Sequence, residues 1–290
     1  MKKKDTLYNS LELKQQMKTT FHVALSEFAD NLGKHILNDG EWTIKGFIDV
    51  FKNIYIISAD TKVISKILEL HILPHFLNFA NQIGYRLELA THQNWYPDLT
   101  FIHKKNNEIK FAVDLKTTYI EEKRPEYCNG FTLGSHGEYF INRDSSKNVQ
   151  YSYNSYCSHF CLCIIYSRAL LNESLATGKY TMNNLSKIPS VIKNFTIFAE
   201  EKWKLASDKR GSGNTANIGS IKRIADMLSG NGVFAKAGEE IFNDYWANYG
   251  KIMVKNKDGK LKPMTSFDEY IEYRGLSLDI KNKIVGKINA

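Results

Sequence analysis

The chain has 290 residues, 43% of them hydrophobic and 12% aromatic, which supports a folded core and excludes a disordered protein. Its formal net charge of +8 favours an anionic partner such as nucleic acid. No apolar run reaches the length of a bilayer-spanning helix, and MKKKD lacks the apolar core of a signal peptide, so we expect a cytoplasmic protein with reduced thiols.

The N-terminal elements are a helical segment and a pair of strands. Apolar residues recur at helical spacing over residues 6–38, which predicts one or two amphipathic helices. We assign residues 1–41 to an N-terminal helical extension and residues 42–290 to the main domain. Residues 42–57 open that domain and predict two short strands that meet near Lys52.

A second helix is predicted in SADTKVISKILELHILPHFLNFANQIG. Ser58 or Asp60 can cap its start, and an apolar stripe follows. Pro74 is expected to kink or divide this helix, because proline removes one backbone hydrogen bond. Gly84 suits its end.

Two strands joined by KKNN are predicted next, at residues 98–103 and 108–119. In the second strand, alternation predicts an apolar face made of Ile109, Phe111, Val113, Leu115 and Tyr119. The opposite face is predicted to carry Glu108, Lys110, Asp114 and Lys116.

Three of the four cysteines lie in the apolar segment YCSHFCLCIIY. A zinc site would take Cys157, His159, Cys161 and Cys163 as ligands. Their alternation within one apolar run favours buried thiols in a helix or strand instead. We predict that residues 151–172 form a helix.

A glycine-rich stretch, DKRGSGNTANIGS, follows a predicted strand, TIFAEEKWKLAS, and precedes a predicted helix, IKRIADMLSG. A flexible linker, a dinucleotide-binding turn and a loop that reads base edges could all use these residues. The dinucleotide alternative is disfavoured because no acidic residue follows at the end of a second strand in a βαβ unit.

The residues that carry chemistry are Asp98, Asp114 and Lys116, in the pattern P-D-x15-D-x-K. A hairpin of the two strands brings the start of the first near the end of the second, so two carboxylates and an ammonium group converge. Carboxylate oxygens suit Mg²⁺, and a lysine there can orient water or stabilise phosphate charge. The alternative is an ordinary surface ion pair.

Five blocks then indicate a family. In chain order they are ADTKVISKILEL, QNWYPDLT, VDLKTTY, FTLG and GSGNTANIGS. Over most of residues 42–250 the chain resembles the EcoRV restriction endonuclease family. The resemblance implies the PD-(D/E)xK nuclease fold, an α/β (α+β) architecture with a central mixed β-sheet flanked by helices. It also implies homodimers that cut palindromic double-stranded DNA with Mg²⁺.

The resemblance also implies roles for the site residues. Asp98 and Asp114 would be metal ligands, and Lys116 would be the catalytic lysine. Glu69 would be an extra acidic residue of the metal site. Without the resemblance, a solvated glutamate on a helix face is the simpler interpretation of Glu69.

By the same resemblance, residues 209–219 form a DNA recognition loop that enters the major groove. Glycines allow close backbone approach, asparagine can pair with adenine, and the threonine methyl group can pack on thymine. The residues assigned to base reading are Gly211, Ser212, Gly213, Asn214, Thr215 and Asn217. Arg210 and Lys209 are assigned to nearby phosphates.

Further DNA contacts are expected outside this loop. Gln93 and Asn94 are implied to form a second short loop in the minor groove, although ordinary turn residues would look the same. Thr61, Lys62 and Lys147 are candidates for the phosphate backbone. Trp95 occupies a position where the family has a histidine. The lysine-rich run KNKDGKLK is either a further DNA-binding segment or a solvated loop.

The family also implies an assembly and a target. Residues 42–57 correspond to a dimerisation hairpin, and a two-fold dimer suits a two-fold site. The shared GSGNT loop predicts blunt cutting at the centre of GATATC, and a cognate adenine methyltransferase to protect the host. The alternatives are a related nuclease with another target, and a non-catalytic DNA-binding protein.

Overall fold

The computed structural model describes residues 2–92, 94–169, 178–212, 216–256 and 258–276. The described α-helices are α1 (Lys2–Ile36), α2 (Thr61–Gln82), α3 (Glu138–Ile141), α4 (Lys202–Leu205), α5 (Ile224–Leu228), α6 (Glu239–Asn248) and α7 (Phe267–Arg274). Short 3₁₀ helices lie at Tyr153–Ser155 and Met182–Lys187. None of the described helices is both long enough and apolar enough to cross a bilayer.

The strands of the first half are β1 (Leu37–Asn38), β2 (Glu41–Trp42), β3 (Gly46–Ile48), β4 (Asn53–Ile56), β5 (Tyr85–Leu89), β6 (Leu99–His103), β7 (Lys110–Glu121) and β8 (Arg124–Cys128). Those of the second half are β9 (Thr132–Ser135), β10 (Ser158–Arg168), β11 (Lys179–Thr181), β12 (Ile192–Glu201), β13 (Ala206–Arg210), β14 (Asn217–Ser220), β15 (Met253–Lys255) and β16 (Leu261–Pro263).

The main sheet is mixed, in the order β1-β2-β12-β10-β7-β6-β5, with β8 paired to β7. β7 and β10 run parallel, whereas β5–β6, β6–β7 and β10–β12 are antiparallel pairs. Helices flank this sheet, so the predicted mixed α/β fold with a central mixed sheet is confirmed.

Both faces of the main sheet are covered by apolar layers. On one face, alternate residues of β7 and β10, such as Phe111 and Phe160, pack with α1 and α2 in one buried cluster. On the other face, Ala112 and Cys161 belong to a second cluster that contains α6 and α7. Because β7 and β10 are covered on both sides, they form the rigid centre from which the site is built.

The predicted helix at residues 151–172 is wrong, since the centre of that segment is strand β10. Residues 158–166 are buried without interruption, as expected for a central strand covered on both faces. Such a run carries no periodicity that separates helix from strand. Cys161 and Cys163 are buried thiols of this strand, in agreement with the interpretation that we preferred over zinc.

Of the one or two helices predicted over residues 6–38, the structure has one. α1 is one continuous helix, and its residues Phe21, Leu25, Ala29, Leu32 and Ile36 lie in the same buried cluster as the main sheet. The proposed boundary at residue 41 stays a prediction.

α2 is not divided at Pro74. Pro74 and Leu70 are both exposed, so the carbonyl group that proline leaves without a donor can be solvated. Asp60 caps the helix, because its side chain accepts hydrogen bonds from the backbone N–H groups of Lys62 and Val63.

An ion-pair network ties α1 to the end of β12. The Lys18 ammonium group forms an ion pair with Glu201, and its Nζ atom lies 3.3 Å from Glu239 Oε2. The Nε2 atom of His22 lies 3.3 Å from Glu200 Oε1. Lys204 Nζ lies 3.1 Å from both Glu200 and Glu201. Since two ammonium groups already occupy these carboxylates, the arrangement is an ion-pair network and not a metal centre.

The predicted strand pair at residues 42–57 is confirmed as the hairpin β3–β4. In its turn, the Asp49 carboxylate accepts hydrogen bonds from the backbone N–H groups of Phe51 and Asn53, and Lys52 adopts φ +64°. β11 adds a third strand to this small sheet. The hairpin is therefore well formed and separate from the main sheet.

Burial lowers the pKa of four histidines, since a buried imidazole resists protonation. They are His71, His75, His136 and His159. The pKa of His136 falls to about 4. His136 and His159 are therefore neutral in the folded protein at pH 6.5, and His71 and His75 bind fewer protons there than they do in the unfolded chain.

We expect the free energy of unfolding to be highest above pH 6.5 and to decrease as the pH falls below that value. Each proton that only the unfolded chain binds costs about 1.4 kcal/mol per pH unit. Asp98 acts in the opposite sense and offsets part of this loss, because burial and Asp114 raise its pKa to about 6. Urea unfolding at pH 7.5, 6.5 and 5.5 measures the slope, and His136→Phe should make it shallower. A stability independent of pH over this range would contradict the expectation.

Candidate active site and DNA-binding loop

The β6–β7 hairpin brings the two predicted aspartates together. Leu99 pairs with Val113, which places Asp98 beside Asp114. The backbone N–H of Asp98 donates to Asp114 Oδ1 at 3.1 Å, and the backbone N–H of Leu115 donates to Asp98 Oδ2 at 2.8 Å. Lys116 Nζ lies 2.8 Å from Asp114 Oδ2. The three side chains thus converge as their spacing in the sequence predicts.

Charge and burial set the protonation of this trio. Burial and the nearby Asp114 carboxylate raise the pKa of Asp98 to about 6. Burial alone would lower the pKa of Lys116, but the charges of Asp114 and Asp98 outweigh it and raise that pKa above its ordinary value. Above pH 6 the Asp98 side chain is therefore a carboxylate, and Lys116 stays an ammonium group.

The oxygens of the aspartates fit a hard divalent cation. Asp98 Oδ2 and both oxygens of Asp114 have hydrogen-bonding or ionic partners, whereas Asp98 Oδ1 accepts no hydrogen bond from the described part of the chain. Mg²⁺ prefers carboxylate oxygens as ligands and keeps several of its water molecules. Two neighbouring carboxylates, of which the Asp98 Oδ1 atom has no other partner among the described residues, offer such ligands. The residues present therefore fit the metal that the sequence predicts.

Glu69 lies apart from the two aspartates. It is on α2, where its Oε1 atom pairs with Lys66 Nζ at 2.7 Å. Among the described residues, the carboxylates of Glu69, Asp98 and Asp114 do not all come within 4.8 Å of one another. The charge of Glu69 still contributes, as the weakest of the named causes, to the raised pKa of Asp98. Its role as a metal ligand stays a prediction.

A cleft of about 280 Å³ extends from Lys116 of this trio to the predicted recognition loop. Lys116 lines it from β7, Thr61 and Ser65 from α2, and Ser212 from the loop. The hydroxyl groups of Ser65 and Thr117 form a short hydrogen bond across it. The predicted catalytic lysine and a residue of the segment predicted to read bases therefore line the same cleft.

The recognition loop spans the turn between β13 and β14. At its base, the backbone N–H of Gly211 donates to Asn217 O at 2.9 Å. A Cβ on Gly219 would lie 2.6 Å from the backbone oxygen of Lys209, so only glycine permits the two arms to approach so closely. Gly213, Asn214 and Thr215 lie outside the described residues.

Of the other predicted DNA contacts, Thr61 lines the cleft, and Lys62, Asn94 and Lys147 are exposed. Thr61 and Lys62 are in the first turn of α2, where Arg168 Nη2 donates to Thr61 Oγ1 at 3.4 Å. Asn94 is exposed with φ +69°, and Lys147 is exposed. Gln93 lies outside the described residues.

A short parallel bridge joins two of these surface loops. Tyr96 pairs with Val149, and the backbone N–H of Tyr96 donates to Asn148 O at 3.0 Å. The loop of Asn94 therefore runs beside the segment that carries Lys147, although the two are far apart in sequence.

Sequence reasoning missed a buried lysine behind the aspartates. Lys202 Nζ lies 4.7 Å from the ring centroid of Tyr96, and no described residue accepts a hydrogen bond from it. Burial lowers the pKa of Lys202 to about 8. In the sequence this lysine is marked only by the motif KWK after a strand. The same motif would be expected for two charged side chains at the surface.

Comparisons with known proteins agree with this geometry. A family model described as "Restriction endonuclease EcoRV" matches residues 38–275. The chain is 35% identical over 236 residues to "Type II restriction enzyme EcoRV" of Escherichia coli, a match that covers 81% of this chain and 93% of that protein.

Proposed function

The chain belongs to the EcoRV family of restriction endonucleases, and on that premise we propose that it is a type II enzyme that hydrolyses duplex DNA with Mg²⁺. It would cut at a palindromic site and leave 5′-phosphate and 3′-hydroxyl ends. We place this activity in the cytoplasm, with a cognate adenine methyltransferase that protects the host DNA.

The observation that supports the proposal is the convergence of Asp98, Asp114 and Lys116, together with a cleft that Lys116 shares with Ser212. An ordinary surface ion pair would not need a buried aspartate beside a half-buried one, because isolated surface pairs stabilise a protein by about 1 kcal/mol at most. Two acids held together at a cost in desolvation indicate a functional site.

Each side chain of the trio has a definable task. Asp98 and Asp114 would hold Mg²⁺, which when bound lowers the pKa of a water molecule and neutralises charge on a phosphate oxygen. Because the pKa of Lys116 is raised, its amine is a cation that donates hydrogen bonds and cannot accept a proton. Lys116 is therefore suited to orient the attacking water or to stabilise the charge of the transition state.

We propose GATATC as the target, with a blunt cut at the central step. The support is the shared loop GSGNT, whose asparagine and threonine suit adenine and thymine. The flexible central TA step would also allow selection through DNA bending. A different target remains compatible with the same catalytic trio, because Trp95 and the stretch SHGEYFINRDSSKN differ from the family pattern.

We also propose a homodimer formed through the β3–β4 hairpin. Val50 is 90% exposed and Phe51 82% exposed, and Phe47, Ile48 and Tyr55 are exposed beside them. Contiguous apolar surface of this kind marks a protein–protein contact. Two copies related by a two-fold axis would present two active sites to the two strands of a palindrome.

Digestion of a phage DNA of known sequence tests the proposed function. We expect discrete fragments with blunt ends at GATATC in Mg²⁺, and intact DNA in EDTA, because the carboxylates alone supply no activated water. Sequencing of the fragment ends identifies the site.

Discrete cuts at another sequence would keep the nuclease and discard the proposed target. Intact DNA in Mg²⁺, combined with binding that weakens steeply as salt rises, would identify a DNA-binding protein without catalysis.

A further inference from the structure

His136 is a buried side chain that the proposed mechanism does not use. It follows β9, is 5% exposed, and its Nε2 atom has no hydrogen-bond partner among the described residues. A buried ring nitrogen without a partner carries a cost in desolvation, so its position needs a reason. The surroundings of the ring supply one.

The ring of His136 packs on two aromatic residues of the C-terminal region. Its centroid lies 5.1 Å from that of Trp246 and 5.5 Å from that of Tyr249. Trp246 and Tyr249 are themselves stacked at 4.8 Å, and both are buried. We call these two residues the aromatic platform.

The aromatic platform contacts one arm of the predicted recognition loop, and the backbone of His136 contacts the other. On the arm that enters the loop, the Arg210 guanidinium lies over the ring of Tyr249 at 5.1 Å. On the arm that leaves it, the backbone N–H of His136 donates to Ala216 O at 2.8 Å. Ala216 directly follows Thr215, so this hydrogen bond holds the chain one residue from the base-reading segment.

We propose that His136 is a positioning residue for sequence discrimination, which holds the exit arm of the recognition loop at a fixed distance from the aromatic platform. The inference rests on the proposed function, because it assigns discrimination to this loop. His136 acts through Ala216 and the loop backbone and touches no base itself.

A neutral ring suits this position better than a charged one. Burial, together with the charges of Arg210 and Lys251, holds the pKa of His136 at about 4. The ring can therefore lie beside the Arg210 side chain without repelling it. A lysine or arginine at position 136 would instead place a second positive charge near Arg210 and Lys251.

The test compares His136→Ala with His136→Phe, which keeps an aromatic ring on the aromatic platform. The readout is the ratio of cleavage rates in Mg²⁺ at the cut site and at sites that differ by one base pair. We expect His136→Ala to lower this ratio about tenfold, since each base contact discriminates by about 1–3 kcal/mol. His136→Phe should restore most of it. His103→Ala is the matched control, because it removes another histidine with a buried, unpartnered nitrogen far from the loop.

A second readout keeps the inference independent of cleavage. Hydrogen exchange across residues 208–220 without DNA should rise in His136→Ala, and should stay unchanged in His103→Ala. His136→Leu replaces the alanine variant if the latter does not fold. An unchanged cleavage ratio, or unchanged exchange in the loop, would overturn the inference. A wild-type enzyme that cuts no discrete site would instead overturn the proposed function, and the exchange comparison would then show only whether His136 holds the loop.

Discussion

Asp114→Asn is expected to abolish Mg²⁺-dependent cleavage, with a loss of at least about 10³-fold, while DNA binding in Ca²⁺ stays close to that of the wild type. Asp114 is 3% exposed, and its two oxygens contact the backbone N–H of Asp98 and the ammonium group of Lys116. The amide keeps the shape of the side chain. It removes the charge that would hold the metal and that pairs with Lys116.

The measurement is single-turnover cleavage of a short duplex that contains the site, with gel-shift binding in Ca²⁺ beside it. Glu121→Gln is the matched control, because Glu121 lies on the same strand and pairs with Arg124 at the surface. We expect this control to cut at the wild-type rate. If Asp114→Asn retained a tenth of the wild-type rate, the assignment of the catalytic trio would be wrong.

Local sequence rules predict the trio well. β6 and β7 are joined by a short polar turn, so hairpin pairing follows from chain order alone. Alternation then places Asp114 and Lys116 on the face opposite Phe111 and Val113, as the two buried clusters confirm. The convergence of the trio involves residues within about twenty positions of one another. Over that distance, the alternation of a strand and the length of a turn allow few arrangements of the chain.

Contacts between distant segments could not be predicted in this way. β10 looks helical in isolation, and only its pairing with β7 and β12 makes its continuous apolar run a central strand. His136 is similar, because its contact with Trp246 joins residues more than a hundred positions apart. No periodicity links such residues, so their roles follow only from the fold.

Glu69 marks a different limit. The family resemblance assigns it to the metal site, yet its partner in the structure is Lys66, three residues earlier on α2. A flexible glutamate on a helix can turn toward a neighbouring lysine or toward a metal ion. The difference in free energy between these two orientations is about that of one exposed ion pair. Such a side chain is not fixed by packing as Asp114 is.

Phe51→Asp is expected to convert a dimeric enzyme to a monomer that no longer makes double-strand breaks. Val50 and Phe51 form the exposed tip of the β3–β4 hairpin, whose backbone is held by Asp49. A carboxylate placed in an apolar interface loses its hydration without gaining a partner, so association should weaken at least about 100-fold. The fold should survive, because the side chain has few contacts within its own chain.

Sedimentation and plasmid cleavage measure the two consequences separately. A monomer carries one active site, so any residual activity of Phe51→Asp should nick one strand before it linearises a plasmid. Val23→Asp is the matched control, since Val23 is 54% exposed on α1 and lies outside the hairpin. That variant should remain a dimer and should linearise plasmid as the wild type does. A wild-type monomer, or a Phe51→Asp variant that stays dimeric and cuts both strands together, would place the partner surface elsewhere and leave the exposed hairpin tip without its proposed role.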